Sequence, residues 1–192
     1  MTISELLTPR KEVREGRFQG VLQAHKVGGS EDRLENDPSR LLSMTYPSNA
    51  LETAFDHVDN KLRARDSQGG ITLTGPYGAG KSHGLLTLYH LFNSPEMGQE
   101  WLDDWELGLD LPDSADATIL STSETDADHI WEPIFEDLGR EDISEDVKRY
   151  VTTDHIEDLC AEKPVAIFFD EIETWWESFS DSEDEELVER NE

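Results

Sequence analysis

The chain has 192 residues, enough for one domain with a core of its own, and 35% of them are hydrophobic. The formal net charge is −28, from 44 acidic and 16 basic residues, which argues against free duplex nucleic acid as a partner of the isolated chain, because phosphate binding needs net cationic contacts. Cys160 is the single cysteine, so no internal disulfide can form. The N-terminal stretch MTISELLTPRKEVREG lacks an apolar h-region, and no run approaches ~18 apolar residues. The expectation is a soluble, cytoplasmic protein with no membrane contact.

The charge is unevenly placed. Residues 1–95 carry 11 acids and 11 bases, whereas residues 96–192 carry 33 acids and 5 bases. Lys is rare, 6 against 20 Asp, and regular apolar spacing continues through the acidic half. This favours a halophilic, haloarchaeal protein in a salt-rich cytoplasm, where screening removes most long-range repulsion, over a poorly folded acidic segment.

In chain order, residues 1–66 form a mixed, partly helical N-terminal region, 67–180 a partial core, and 181–192 an acidic tail. Arg10, Lys11, Arg14 and Arg17 make a small basic cluster that reads as a surface helix rather than a DNA contact. Gly28-Gly29-Ser30 and Asp37-Pro38-Ser39 read as loops. Ser48 is a candidate N-cap for a helix over 48–65 that carries Leu51, Ala54, Phe55, Val58 and Leu62 at helical spacing, and Gln68-Gly69-Gly70 ends it. Ile71–Thr74 is a short β-rich run, and residues 81–93 return to helical spacing with Leu85, Leu88, Tyr89 and Phe92. A further short helix holds Trp101, Leu102 and Trp105.

Residues 117–121 read as a strand, and 128–138 as a helix in which Pro133 either makes a kink or marks the first turn. Residues 144–162 read as a helix capped by Ser144, with a break near Thr152-Thr153. Val165–Phe169 is an unbroken apolar run, patterned as a strand buried on both faces of a parallel sheet. The alternation of strand and helix predicts the α/β class: a P-loop NTPase-type parallel sheet with helical crossovers and an incomplete core, preceded by the mixed N-terminal region. The tail DSEDEELVERNE, seven acids and one base, reads as solvated surface.

Gly75-Pro76-Tyr77-Gly78-Ala79-Gly80-Lys81-Ser82 fits G-x-x-x-x-G-K-[ST], after a β-run and at the start of a helical run. Glycines let the backbone turn its N–H groups inward around phosphate oxygens, and the helix start adds the positive end of its dipole. Lys81 would reach the β- and γ-phosphates, and Ser82 would ligate Mg²⁺. The bland reading of this stretch is a glycine-rich strand–helix turn with a chance Lys-Ser.

Asp170 and Glu171 follow the apolar run, at the strand end where ligands of such sheets bind. Asp170 would hold Mg²⁺ and Glu171 would polarise an attacking water. The expected ligands are ATP and Mg²⁺, gripped by residues 75 to 83 with His83 as the last, and the metal is held by Ser82 and Asp170. Lys81 and Glu171 are the candidate catalytic pair. His83 fits packing or local hydrogen bonding better than catalysis. Ser121, Thr122 and Ser123 could face the γ-phosphate or cap the next helix. Six scattered histidines and one cysteine supply no zinc site.

Thr45-Tyr46-Pro47, Leu73–His83, Leu88-Tyr89-His90-Leu91 and Phe168-Phe169-Asp170-Glu171-Ile172 together resemble the N-terminal part of large P-loop ATPases of unknown function. These occur in anti-phage cassettes beside DNA methyltransferases and are similar to the BREX-system ATPase. The resemblance covers roughly residues 1–176 and implies ATP-driven remodelling or signalling in phage defence, with partners that act on DNA. Such ATPases are far longer, so two expectations stand: a truncated or split gene product, or a short protein completed by a partner chain. Only Arg190 is basic after Lys163, so no arginine finger is in view, and a finger contributes about 10³–10⁵ in rate. ATPase activity is therefore expected only if a partner or further sequence completes the site. The alternative is a non-hydrolysing ATP-binding or interaction module. Trp175 and Trp176 read either as an apolar patch for a protein partner or self-association, or as ordinary helix packing.

Overall fold

The computed structural model describes residues 8–16, 20–29, 33–65, 69–123 and 127–180. Arg17, Ser30, Gln68, the side chain of Trp176 and the tail 181–192 lie outside the described residues, so the readings that fall on them have no structural counterpart.

The architecture is mixed α/β. Helices α1 (Lys11–Arg14), α2 (Pro38–Met44), α3 (Asn49–Leu62), α4 (Lys81–Asn93) and α5 (Pro95–Asp104) precede strand β1 (Asp116–Ser121). Three short helices follow, α6 (Trp131–Asp137), α7 (Glu141–Asp146) and α8 (Thr153–Leu159), then β2 (Val165–Asp170) and α9 (Ile172–Ser180). The two strands pair in parallel, Asp116 opposite Val165 through Ser121 opposite Asp170, so α6–α8 form the crossover between them.

The pleat assigns the faces. Ile119 and its partner Phe168 turn toward α4, where Phe168 lies 6.4 Å from the rings of both Tyr89 and Phe92. Val165 and Ile167 turn the other way and pack with Trp131, Phe135, Ile143 and Leu159. A helix layer thus lies on each side of the sheet, as a parallel pair requires. The 3₁₀ turn Ala24–Lys26 packs against β1.

Helix α3 forms where its spacing predicts, with the Ser48 hydroxyl accepting the Leu51 N–H. It buries Leu51, Ala54 and Phe55 against Leu42, Leu88, Leu91, Trp101 and Leu102. Helices α4 and α5 fold back on each other around Ser94, and Gly98 lets them touch: a Cβ there would meet the Leu91 Cα at 3.0 Å.

Several expectations are corrected. Asp37-Pro38-Ser39 is a helix start and not a loop: Asp37 accepts the Arg40 N–H at 2.9 Å and Pro38 occupies the first turn of α2. Ser144 lies inside α7 instead of capping a long helix, while the break expected near Thr152-Thr153 is present, between α7 and α8. The break falls at Thr152 because Thr152 and His155 form a capping box that starts α8 anew. Pro133 sits in the first turn of α6. Ile71–Thr74 is not a strand and joins no ladder among the described residues. Val165–Phe169 is a strand, yet all five residues are only half-buried. Trp175 is 5% exposed, which removes it from any surface patch.

Candidate functional site

The glycine-rich loop has the backbone that its sequence demands. Gly78 and Gly80 take φ of +78° and +85°, the left-handed region where a Cβ costs about 1–2 kcal/mol. The Ala79 N–H closes a turn on the Pro76 carbonyl at 3.2 Å. Gly75 approaches Ala79 so closely that an added Cβ would lie 3.3 Å from the alanine methyl. Tyr77, at the tip, is 95% exposed.

Gly80 is the N-cap of α4, with no side-chain cap, and the first intrahelical bond runs from the Gly84 N–H to the Gly80 carbonyl at 2.9 Å. The amides of Lys81, Ser82 and His83 precede it and have no hydrogen-bond partner among the described residues. Three unpaired donors and the positive end of a 13-residue helix converge at one point. The Lys81 ammonium donates to the carbonyls of Gly75 (2.9 Å) and Pro76 (3.2 Å), so its charge sits over the loop.

The His83 side chain turns inward. It is half-buried, and burial pushes its pKa down. Its Nε2 lies 2.7 Å from the Thr45 hydroxyl. That hydroxyl donates to the Leu41 carbonyl, so Nε2–H is the donor to Thr45. Only the backbone of His83 is therefore presented with Lys81 and Ser82.

At the end of β2, Asp170 is buried beside Ser121 across the sheet. Glu171 departs from the strand with φ +60°, a strained value for a residue with a Cβ. Thr122 holds it there: its N–H donates to the Asp170 carbonyl at 3.0 Å, and its hydroxyl to the Glu171 carbonyl at 2.6 Å. The Ser123 hydroxyl donates to the Glu171 carboxylate at 2.5 Å and lies 3.2 Å from the Ser121 hydroxyl. These hydroxyls thus brace the Asp-Glu corner. They do not cap α6, whose N-cap is Ile130 with no side-chain bond.

One cavity of about 710 Å³ joins the two motifs. Gly75 and Lys81 line it together with Asp170 and Glu171. Pro76, Tyr77, Gly78, Ala79, Gly80, Ser82 and His83 do not line it. The lining cations are Lys61 and Lys81. Among the described residues no group of three or more His, Cys, Asp or Glu could hold a metal alone. The residues do fit an anion carrying its own cation: the Lys81 ammonium and the Asp170 and Glu171 carboxylates share one space, and the unpaired amides at the start of α4 lie next to Lys81. Among the described residues no helix is long and apolar enough to cross a membrane.

The bracing role of Thr122 and Ser123 and the Thr45–His83 contact were not readable from spacing. Each links residues 38 to 49 positions apart, and the local signal at both places was only a polar run.

Residues 1–107 match the family model described as the DUF499 N-terminal domain, a domain of unknown function. No curated protein and no solved structure gives a significant match.

Proposed function

The chain belongs to the DUF499 family, which carries no assigned activity, so we propose a function from its own residues: a Mg-ATP-binding P-loop module. The observation that carries this reading is the shared cavity, lined by Lys81, Asp170 and Glu171 alike, beside three unpaired amides at the start of α4. In this reading the amides of Lys81, Ser82 and His83 hold phosphate oxygens, and Lys81 exchanges its loop carbonyls for them. Ser82 and Asp170 hold Mg²⁺, which neutralises phosphate charge when bound. Glu171, fixed by Thr122 and Ser123, orients a water. Calorimetry with Mg-ATP in molar KCl tests it. Binding to the wild type and at least a hundredfold weaker binding to Lys81→Ala is the expected outcome, and no heat from the wild type at saturating Mg-ATP refutes it.

A second reading, a module that binds without hydrolysing until a partner completes it, is favoured by the lining of the cavity. Among the described residues Lys61 and Lys81 are its only cations and no arginine lines it, so charge developing on a transferring phosphoryl group has few counterions there. Glu171→Gln separates the two. It slows turnover in a hydrolase and changes nothing in a non-hydrolysing binder. A place in phage defence or another DNA-related process rests on the resemblance alone, and loss of protection by a cassette carrying Lys81→Ala would support it.

A further inference from the structure

Two aromatic rings stand in solvent beside the first turn of α4. Tyr46 is 74% exposed and Trp105 43%. Neither lines the cavity, so the phosphate reading makes no use of them. Their centroids lie 5.4 Å apart with the planes at 84°, the edge of one ring against the face of the other. The pair makes an open right-angled corner, in which a flat molecule can lay its face on one ring and turn its edge to the other. The corner is rigidly mounted. Thr45 and Pro47, on either side of Tyr46, are both buried, so the backbone is fixed while the ring stands out.

Three anchors place this corner next to the unpaired amides. The Thr45 hydroxyl lies 2.7 Å from the Nε2 of His83, whose amide is one of the three donors, and one Cα–Cα step of about 3.8 Å separates Thr45 from Tyr46. Farther along, Leu51 comes against Gly84 in the same turn, where an added Cβ would lie 3.8 Å from the leucine Cδ1. Trp105 arrives from the other direction. Helix α5 folds back at Ser94, and its Trp101 joins Leu88 and Leu91 of α4 in one apolar cluster, so the end of α5 that Trp105 closes returns toward the start of α4. Both rings, the glycine-rich loop and that first turn fall within residues 1–107, the stretch that the family model matches, and none of them belongs to the sheet.

A ligand with an anion at one end and a flat heteroaromatic ring at the other matches this arrangement. We propose that Tyr46 and Trp105 form the base subsite of the nucleotide site, a stacking corner that favours purine over pyrimidine nucleotides. The proposal rests on the nucleotide reading above and deepens it: the amides and Lys81 take the phosphates, and the corner takes the base. Stacking reads a π-face and not a hydrogen-bond pattern, so the larger purine surface gains over a pyrimidine, and adenine and guanine are accepted alike.

The test uses the full chain in molar KCl with Mg-ATP, Mg-GTP, Mg-CTP and Mg-tripolyphosphate, the last supplying phosphates without a base. In calorimetry ATP and GTP should bind within threefold of each other and both more tightly than CTP. Tyr46→Ala should weaken ATP about tenfold and leave tripolyphosphate within twofold, Tyr46→Phe should restore ATP binding, and Trp105→Ala should act in the same direction as Tyr46→Ala. Tyr150→Ala, at another exposed tyrosine, should change neither ligand. In proton NMR of the wild type the ring signals of Tyr46, assigned by comparison with Tyr46→Phe, should move upfield with ATP and stay in place with tripolyphosphate. Equal weakening of ATP and tripolyphosphate by Tyr46→Ala makes the residue a prop for the turn and overturns the proposal. Unchanged ATP binding by Tyr46→Ala, or no upfield movement at saturating ATP, overturns it too and leaves the phosphate reading standing. A wild type that binds neither ATP nor tripolyphosphate removes the nucleotide reading and this proposal with it.

Discussion

Residues 33–111 and residues 116–170 are both built from helices packed around apolar clusters, but they bury those clusters to different depths. In the first region Leu41, Leu86, Leu91 and Leu102 are 0% exposed, and α3 and α4 run for 14 and 13 residues. In the second, Phe135 is the deepest apolar side chain, the crossover helices have seven, six and seven residues, and β2 is half-buried throughout. The difference follows charge. A carboxylate has to stay solvated or be paired, so a segment crowded with acids can turn only a narrow stripe of each helix inward, and short helices result. The glycine-rich loop grows out of the deep region, and the carboxylates that share its cavity come from the shallow one.

The sharpest way to break this comparison is to truncate one residue from each region. Leu91→Ala should cost about 2–5 kcal/mol in urea titrations, as for a fully enclosed leucine. Ile167→Ala should cost about 1–2 kcal/mol, because that side chain is only partly buried. Equal losses would erase the distinction. Gly98→Ala should cost about 1–3 kcal/mol by overpacking, since the new methyl meets the Leu91 backbone and cannot be relieved by a side-chain rotation. Moving from molar KCl to roughly 10 mM salt lengthens the Debye screening distance about tenfold. Amides of α6–α8 should then lose at least tenfold in exchange protection while those of α4 hold. Uniform loss would mean that the two regions open as one unit.

The smallest effect concerns acid. Burial holds the pKa of His83 and of His90 below the usual histidine value. The unfolded chain takes up protons near pH 6.5 while the folded chain resists, so these two groups lower stability as pH falls below that point and leave it unchanged above it. A variant carrying His83→Gln and His90→Gln should have a flatter thermal midpoint between pH 7 and pH 5 than the wild type. An unchanged slope would show that the interior of the deep region takes no part in acid sensitivity.

Much of the deep region was legible because its signals are local. Ser48, the Leu51–Leu62 spacing and the glycine loop each act within a few residues, and α3, α4 and the loop conformation follow from them. Asp37-Pro38 is just as local, yet its sequence reads as a loop. Asp followed by Pro begins helices as well as turns, and only the buried Leu41 and Leu42 decide between them. The partial burial of β2 was beyond reach, because an apolar run states what a strand is suited to and not what lies next to it. His90 was likewise hidden: it is buried because its Nε2–H donates to the carbonyl of Glu35, 55 residues away. The corner at Glu171 was half legible. The motif marks the residue, but its φ of +60° depends on Thr122, in the turn after β1.

The contact between Thr45 and His83 has a consequence for how the N-terminal segment and the loop are tied. Thr45 gives its only proton to Leu41, so toward the histidine it can act solely as a receiver, and the tie depends on one hydroxyl oxygen. Valine at that position would keep the shape and cut the tie. The chain leading out of α2 would then be uncoupled from the first turn of α4, and any rearrangement of that turn would stop where it began instead of being felt some forty residues earlier.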